Sequence, residues 1–442
     1  MKQELKFGDF LTIERDNKVD IIDSQKYIIS GVQNYGQGVI IRREVFGKNL
    51  KMKKYQLIKE NQLMWCKVDT KNGAFGITKE EHIGTITSTN MALANFDQNK
   101  VLPNFLETLF KLKPFHENIT KLSSGTTNRK YLTPTQLFKT ISIPKISEKE
   151  QKLLIDKIKY INSLGLSSKI TNQQTLLKKL RQAILQEAIQ GKLTADWRKE
   201  NPNVEPASEL LKRIQAEKEK LIVEKKIKPQ KPLPPIKAEE IPFELPKGWV
   251  WCRLGDCTNI VRGGSPRPAG DKKFYDGSIP FLKVADLTND NEMYVKGYTY
   301  TIKEAGLHKT RYVEEEILML TNSGATLGIP KICNFPTTFN DGIAAFIYMN
   351  SDLSKPFWYY FLKSKTLWFL EEAARGQGQP NLNINIIGNT LVGLPTVVEQ
   401  KAIVTKVEKL LAYCNELEQQ IQQTKTYSEQ LMQTVLKEAF TP

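Results

Sequence analysis

Several short stretches of the chain carry the residue types that contact nucleic acid. Arg42, Arg43, Lys48, Lys51, Lys53 and Lys54 crowd one region beside Gly36 and Gly38. Arg262, Ser265, Arg267, Lys272 and Lys273 occupy a second, which opens as the Gly/Pro-rich run Arg262-Gly-Gly-Ser-Pro-Arg-Pro-Ala-Gly270. Ser123-Ser-Gly-Thr-Thr-Asn-Arg-Lys130 offers Ser124, Thr126, Thr127, Arg129 and Lys130; Arg375-Gly-Gln-Gly-Gln-Pro-Asn381 offers Arg375, Gln377, Gln379 and Asn381. Asn322 and Ser323 open a further turn-rich segment between apolar runs. Arginine, glutamine and asparagine make two-pronged contacts to guanine and adenine edges, and small residues let a loop approach phosphates. The charge points the same way: 64 Lys plus Arg against 48 Asp plus Glu leave +16, as expected of a chain with a polyanionic partner.

Residues able to break or make covalent bonds are not grouped in any known pattern. His82, His116 and His308 are far apart and lack metal-ligand spacing, and Cys252-x4-Cys257 lacks the second pair of a zinc site. The chain has no phosphate-binding loop and no Gly-x-Gly-x-x-Gly after a strand. It also lacks the Asn/Asp-Pro-Pro-Tyr/Phe of amino-methyltransferases and the Pro-Asp…Asp/Glu-x-Lys of nucleases. Glu371-Glu372 reads as a solvated helix face. No catalytic residue and no metal site are therefore expected, and no cofactor in this chain. Five scattered cysteines, an N-terminus without an apolar core and no run of ~18 apolar residues suit a reduced cytoplasmic chain that does not enter a membrane.

The elements that must hold these stretches show a long-period repeat. Leu180-Arg-Gln-Ala-Ile-Leu-Gln-Glu-Ala-Ile189 returns 251 residues later as Leu431-Met-Gln-Thr-Val-Leu-Lys-Glu-Ala-Phe440. Gly125 and Pro144 return at the same offset as Gly376 and Pro395. A solenoid unit runs ~20–50 residues, so this period indicates a duplicated half. Ser147-x-x-Glu150 is a capping box. Behind it Leu154, Ile158 and Ile161, then Ile170, Gln173, Leu177, Leu180 and Ile184, step by threes and fours, with an interruption near Gly165 that predicts a kink. Ile403, Val407, Leu410, Cys414, Leu417, Ile421, Thr424, Ser428, Leu431 and Val435 keep the pattern unbroken. A sustained 3.5-residue period means that each helix faces another.

The expected fold class is α+β. A first mixed α/β globule spans 1–143 and a long helix 144–190; a charged helix and Pro-rich connective spacer fill 191–241. A second mixed globule spans 242–394, and a long helix closes the chain at 395–442. Each long helix would measure ~60 Å at 1.5 Å per residue. Antiparallel pairing would place the globules at opposite ends of a two-helix coiled coil, related by a pseudo-twofold internal repeat.

The chain resembles the specificity (S) subunits of type I restriction–modification systems. The resemblance rests on Leu180–Thr194 with Trp197, on Leu245-Pro-Lys-Gly-Trp-Val-Trp251, on Gly263-Gly-Ser-Pro266, and on Leu394-Pro395 with Glu399-Gln-Lys401. It implies two target-recognition domains, each reading one half of a bipartite, asymmetric site in double-stranded DNA. It also implies helices that set the gap and dock two modification (methyltransferase) subunits, which bind S-adenosylmethionine, with restriction (motor-nuclease) subunits joining that core. The N-terminal globule departs from the pattern in lacking the Leu-Pro-x-Gly-Trp opening found at 245–249. A coiled-coil scaffold for other proteins, and an S-like subunit of a solitary methyltransferase without a nuclease, stand as alternatives.

Overall fold

The computed structural model describes residues 4–67, 72, 74–110, 115, 124–126, 129–131, 133–229, 232–374 and 381–438. The chain forms two compact units, Met1–Asn172 with Ile421–Pro442, and Gln173–Gln420. Each unit mixes helix and sheet, as the α+β expectation requires.

Unit 1 is layered around a four-stranded antiparallel sheet in the order Leu11–Ile13, Met91–Phe96, Gln62–Cys66, Phe75–Ile77. Alternate side chains of a strand point to opposite faces. Leu63 and Trp65 accordingly join Phe105, Leu109, Leu154 and Ile158 in one core, while Met64 and Leu93 join Val32 and Ile58 in another. Both faces are covered, so the strand Gln62–Cys66 is apolar almost throughout. The second core lies against a five-stranded sheet ordered Lys18–Asp20, Lys54–Leu57, Ile86–Thr87, Lys26–Val32, Val39–Phe46.

Unit 2 repeats this frame. Its four-stranded sheet runs Asn259–Arg262, Ile343–Ile347, Ile317–Thr321, Pro330–Cys333, the same chain order as in unit 1. In unit 1 the strand Glu4–Lys6 pairs antiparallel with Ser142–Pro144 just ahead of the helix Glu148–Ser163. In unit 2 Val250–Arg253 pairs antiparallel with Leu391–Leu394 just ahead of Val397–Glu438. Each opening strand then makes one short helical turn, Phe7–Asp9 or Leu254–Cys257. The turn is closed by its aspartate: Asp9 Oδ2 accepts from the Lys6 N–H and Asp256 Oδ2 from the Arg253 N–H, both at 2.7 Å. The N-terminal globule thus shares the frame of the second despite lacking Leu-Pro-x-Gly-Trp.

The stretch 191–241, expected to be a connective spacer, instead packs on unit 2. Ala207–Val223 is a helix with Ala207, Leu210 and Ile214 buried. Its Lys218 ammonium donates to the carbonyls of Gly255 (2.6 Å) and Thr258 (3.3 Å), and burial pushes its pKa down. The buried Arg253 guanidinium donates to the carbonyls of Pro234 (2.7 Å), Pro235 (3.3 Å) and Asn389 (2.9 Å) and to the Glu240 carboxylate. Polyproline carbonyls have no partners of their own, so one arginine converts the Pro-rich run into a strap.

The first long helix is broken, as the interruption near Gly165 led one to expect. Glu148–Ser163 is capped by Ser147, whose hydroxyl accepts from the Glu150 N–H. It stops before Gly165 (φ +61°), and Leu166–Ile189 starts a new helix. The C-terminal helix is continuous over the 42 residues Val397–Glu438. Within unit 2 the pairing is antiparallel. Arg181 Nη2 donates to Asn415 Oδ1 (2.7 Å) and Glu418 Oε2 (3.0 Å), while Thr194, further along, meets Glu399. Within unit 1 Met432 and Val435 pack on the core that holds Leu154 and Ile158.

Most of the expected pairing residues are buried: Leu154, Ile158, Ile161, Ile170, Leu177, Ile184, Ile403 and Val407. Leu410, Ile421 and Val435 are half-buried. Leu180, Leu417 and Leu431 are 44–45% exposed and do not belong to the seam. The seam passes instead through Arg181 on one helix and Met432 on the other, each one position off the leucine that the apolar pattern favoured.

Glu14 ties the unit 1 sheet together. Its carboxylate accepts from Lys59 Nζ (2.8 Å), Asn95 Nδ2 (3.1 Å) and the Asp16 N–H (3.2 Å), and the Lys59 contact is the largest cause of a pKa held down to about 2. Because the folded value lies below the unfolded one, this stabilisation is present above about pH 4.5 and disappears as the pH falls towards 2. Glu14→Gln should remove on the order of 2 kcal/mol at pH 7 and flatten the dependence of the melting temperature between pH 2 and 5. An unchanged acid limb in thermal melts would rule that role out.

Candidate nucleic-acid interface

In unit 2 the expected contact residues meet at one end of the four-stranded sheet. Arg262 pairs with Ala344 and Thr321 with Ile343, so the segments after Arg262 and Thr321 and before Ile343 leave the sheet together. The loop after Arg262 packs closely on its neighbours. A Cβ on Gly263 would lie 2.3 Å from the Asn340 carbonyl, and one on Gly264 would lie 2.3 Å from that of Lys309. The Tyr275 hydroxyl anchors the same loop by donating to the Pro266 carbonyl (2.9 Å). Ser265 Oγ donates to Asp341 Oδ1 (2.6 Å), and Arg262 Nε donates to the Asp341 carbonyl. Arg311 Nε donates to the Arg262 carbonyl (2.8 Å), and Lys303 Nζ donates to the carbonyl of Lys272 (2.7 Å). Ser323 and Asn381 form an isolated antiparallel bridge.

Arg262, Arg267, Lys272 and Asn381 are exposed on this unit, and Ser265 and Ser323 are half-buried. Asn322 is a correction. It is buried, its N–H donates to the Gly342 carbonyl (2.9 Å) and its own carbonyl accepts from the Leu382 N–H (2.8 Å). It closes the sheet end and presents nothing outward. Arg311, Lys303 and Asp341 were missed. The first two are isolated charges in sequence, and an acid is not sought in a basic loop. Thr127, Arg375, Gln377 and Gln379 lie outside the described residues.

In unit 1 Arg42 and Arg43 stand on the edge strand Val39–Phe46, and Lys48, Lys51 and Lys53 follow on the crossover to Lys54–Leu57; all are exposed. The pairing with Lys26–Val32 shifts register between Ile29 and Ser30, which leaves Arg42 as the extra residue of a β-bulge. Its guanidinium folds back over Gly31 and donates to the Val32 carbonyl (3.2 Å). Arg42 is therefore braced against its own ribbon. The Lys26 and Lys48 ammonium groups sit 5.4 and 6.0 Å from the centroid of Phe46. Ser124–Thr126 and Arg129–Tyr131 form a small antiparallel hairpin, with Thr126 opposite Arg129.

Three of the stretches that carried the family resemblance, at 180–194, 245–251 and 399–401, converge on one buried carboxylate. Glu399 is 1% exposed. Its Oε1 accepts from Thr194 Oγ1 (2.7 Å) and from Arg198 Nη1, and its Oε2 accepts from the Trp249 indole N–H (2.7 Å). Arg198 also donates to the Gly191 carbonyl (2.7 Å). Gly191 sits at φ +69°, and a Cβ there would lie 2.7 Å from Pro246 Cγ and 3.0 Å from Trp249 Cζ2. Only glycine suits both the conformation and the space. These motifs bind one another. Among the described residues no group of His, Cys, Asp or Glu is placed to hold a metal, and no helix is long and apolar enough to cross a membrane.

Residues 246–424 match the family model for the type I restriction modification DNA specificity domain. Over that stretch the chain is similar to the DNA specificity domain of type I restriction–modification systems. The specificity subunit of the Escherichia coli type I restriction enzyme EcoAI is 33% identical over 249 residues, which cover 54% of this chain and 40% of that protein. The EcoEI specificity subunit, also from Escherichia coli, is 31% identical over 257 residues, 55% of this chain and 42% of its own length. The chain thus spans about two-fifths of the curated relatives it matches. Two solved structures share its fold. One, from work on complex assembly and conformational transition of the type I R-M system, has a TM-score of 0.68 at 16% identity and covers 99% of this chain and 97% of its own. The other, the HsdS subunit from Thermoanaerobacter tengcongensis, has a TM-score of 0.53 at 16% identity, with 99% and 96% covered.

The matched specificity domain contains Trp249 and Glu399, whereas Thr194 and Arg198 precede it. The buried carboxylate therefore bonds the domain to the helix end before it. Removing one partner of a buried charge network typically costs about 3–5 kcal/mol, because the other charge is left buried and unpaired. Glu399→Ala should lower the denaturation midpoint by that order, and Glu399→Gln, which keeps an acceptor, by less. Equal and small losses in urea unfolding would show that the network does not hold the specificity domain.

Proposed function

We propose that the chain is the DNA-reading subunit of a type I restriction–modification complex, with each unit reading one half of a bipartite, asymmetric site in double-stranded DNA. The observation that carries this reading is the sheet end of unit 2, where Arg262, Arg311, Ser265 and Asn381 converge inside the matched stretch 246–424. The repeated frame of unit 1, with Arg42, Arg43, Lys48, Lys51 and Lys53 exposed, supports one reader per half-site. The long helices would dock two modification (methyltransferase) subunits, which hold S-adenosylmethionine, and would set the gap between half-sites; restriction (motor-nuclease) subunits would join the complex in the cytoplasm. The chain itself makes and breaks no covalent bond in this scheme.

Binding of the full chain to a randomised duplex library, followed against salt, tests the reading. Each neutralised phosphate contributes a slope of about −0.9 in log affinity against log salt. Replacing Arg262 and Arg311 by Ala should reduce the slope by about 1 each if they touch phosphate, or relax one base position if they touch a base. No salt dependence in the wild-type chain would favour a protein scaffold.

The ruler role has its own test. Removing about four residues, one helical turn, from Leu166–Ile189 should change the gap and leave both half-sites intact. Methylation-sensitive sequencing of DNA modified by the assembled complex reads all three. An unchanged gap would sink the ruler.

A further inference from the structure

The basic sheet end of unit 2 also holds a carboxylate. Asp341 is half-buried in the turn that follows Thr337–Phe339, with the loops of Arg262 and Arg311 around it. Its Oδ1 accepts the Ser265 hydroxyl at 2.6 Å. That hydrogen bond first, then one from the residue's own N–H and the charges of Arg262 and Arg267, outweigh the effect of burial and hold the carboxyl below its ordinary range, so it is ionised at neutral pH. Yet neither arginine pairs with it: the Arg262 donor goes to the main-chain carbonyl of Asp341. No other described residue hydrogen-bonds to or ion-pairs with Oδ2.

A carboxylate that served only to brace the loop would gain most from an arginine fork on both oxygens. Here one oxygen is fixed by Ser265 and the other is left open, so the open one has a defined direction. Beside phosphates an anion lowers affinity, and it has a use there only if it meets a donor. In the major groove cytosine N4 and adenine N6 are amino donors, whereas guanine O6 and thymine O4 are acceptors that a carboxylate repels.

We propose that Asp341 is a base-reading residue of the second half-site, its free Oδ2 accepting a hydrogen bond from the exocyclic amino group of cytosine or adenine and rejecting the keto oxygen of guanine or thymine at that position. The inference rests on the DNA-reading function proposed above. Ser265 is then a positioning residue, acting through Asp341.

The experiment selects sequences from randomised duplexes with the full chain, in complex with its methyltransferase subunits, and compares the wild type with Asp341→Asn and Ser265→Ala. Asp341→Asn is isosteric, and its amide both donates and accepts. It should relax the amino-over-keto preference at one position of one half-site by about tenfold, leaving the other positions and the other half-site as in the wild type. Ser265→Ala keeps the carboxylate but frees its direction, so it should weaken the same preference at the same position, by less than Asp341→Asn. A base profile for Asp341→Asn identical to the wild type, or a uniform loss across all positions, would overturn the inference and leave Asp341 as a loop brace. A wild-type complex that enriches no sequence would instead overturn the DNA-reading function itself.

Discussion

Burying a carboxylate is tolerable only when every lone pair that leaves water is met by a donor. Glu399 satisfies that condition with three donors from different parts of the chain: Thr194 and Arg198 after the first long helix, and Trp249 at the opening strand of unit 2. Glu399 itself lies in the first turn of the C-terminal helix. One residue therefore fixes the end of one long helix, the start of the other and the root of the specificity domain. The helix pairing nearby inherits its register from this point, and the Arg181 contacts with Asn415 and Glu418 extend it. Motifs that lie far apart in sequence are legible as a set because they solve one problem of charge burial.

The frame so fixed is common to both units, and the surfaces it carries are not. The strand pairs Glu4–Lys6 with Ser142–Pro144 and Val250–Arg253 with Leu391–Leu394 are equivalent, as are the two four-stranded sheets. The remaining sheet differs, five strands with a bulged edge ribbon in unit 1 and four strands in unit 2. Variation is thus confined to loops and to the outer sheet, where a change of side chain leaves the packed layers untouched.

Sequence periodicity exposed the duplication, the break at Gly165 and most of the buried helix positions, because a repeated apolar period is a direct image of a buried face. It misplaced Leu180, Leu417 and Leu431 because a reader of hydropathy steps to the nearest leucine, whereas the seam at these points admits an arginine or a neighbouring methionine. Phe7-Gly8-Asp9 and Leu254-Gly255-Asp256 are a second copy of the repeat, too short to stand out before the turns they form were seen. The basic loops were readable by composition. Their partners Asp341 and Arg311 were not, since convergence at a sheet end depends on strand order rather than on spacing. Asn322 failed for the opposite reason: its residue type suits a base edge, but its backbone closes the sheet.

The Pro-rich strap gives unit 2 a boundary that composition alone would misdraw. Arg253 grips Pro234, Pro235 and Glu240, Lys218 caps the turn at Gly255, and the Ala207 N–H donates to the Gly248 carbonyl. Anyone transplanting this unit into a relative would naturally cut before Pro246, where the matched sequence begins. Such a graft would leave a cationic socket without its lining and a turn without its cap. The portable module begins upstream, near Gly191, and the proline run travels with it as part of the cargo.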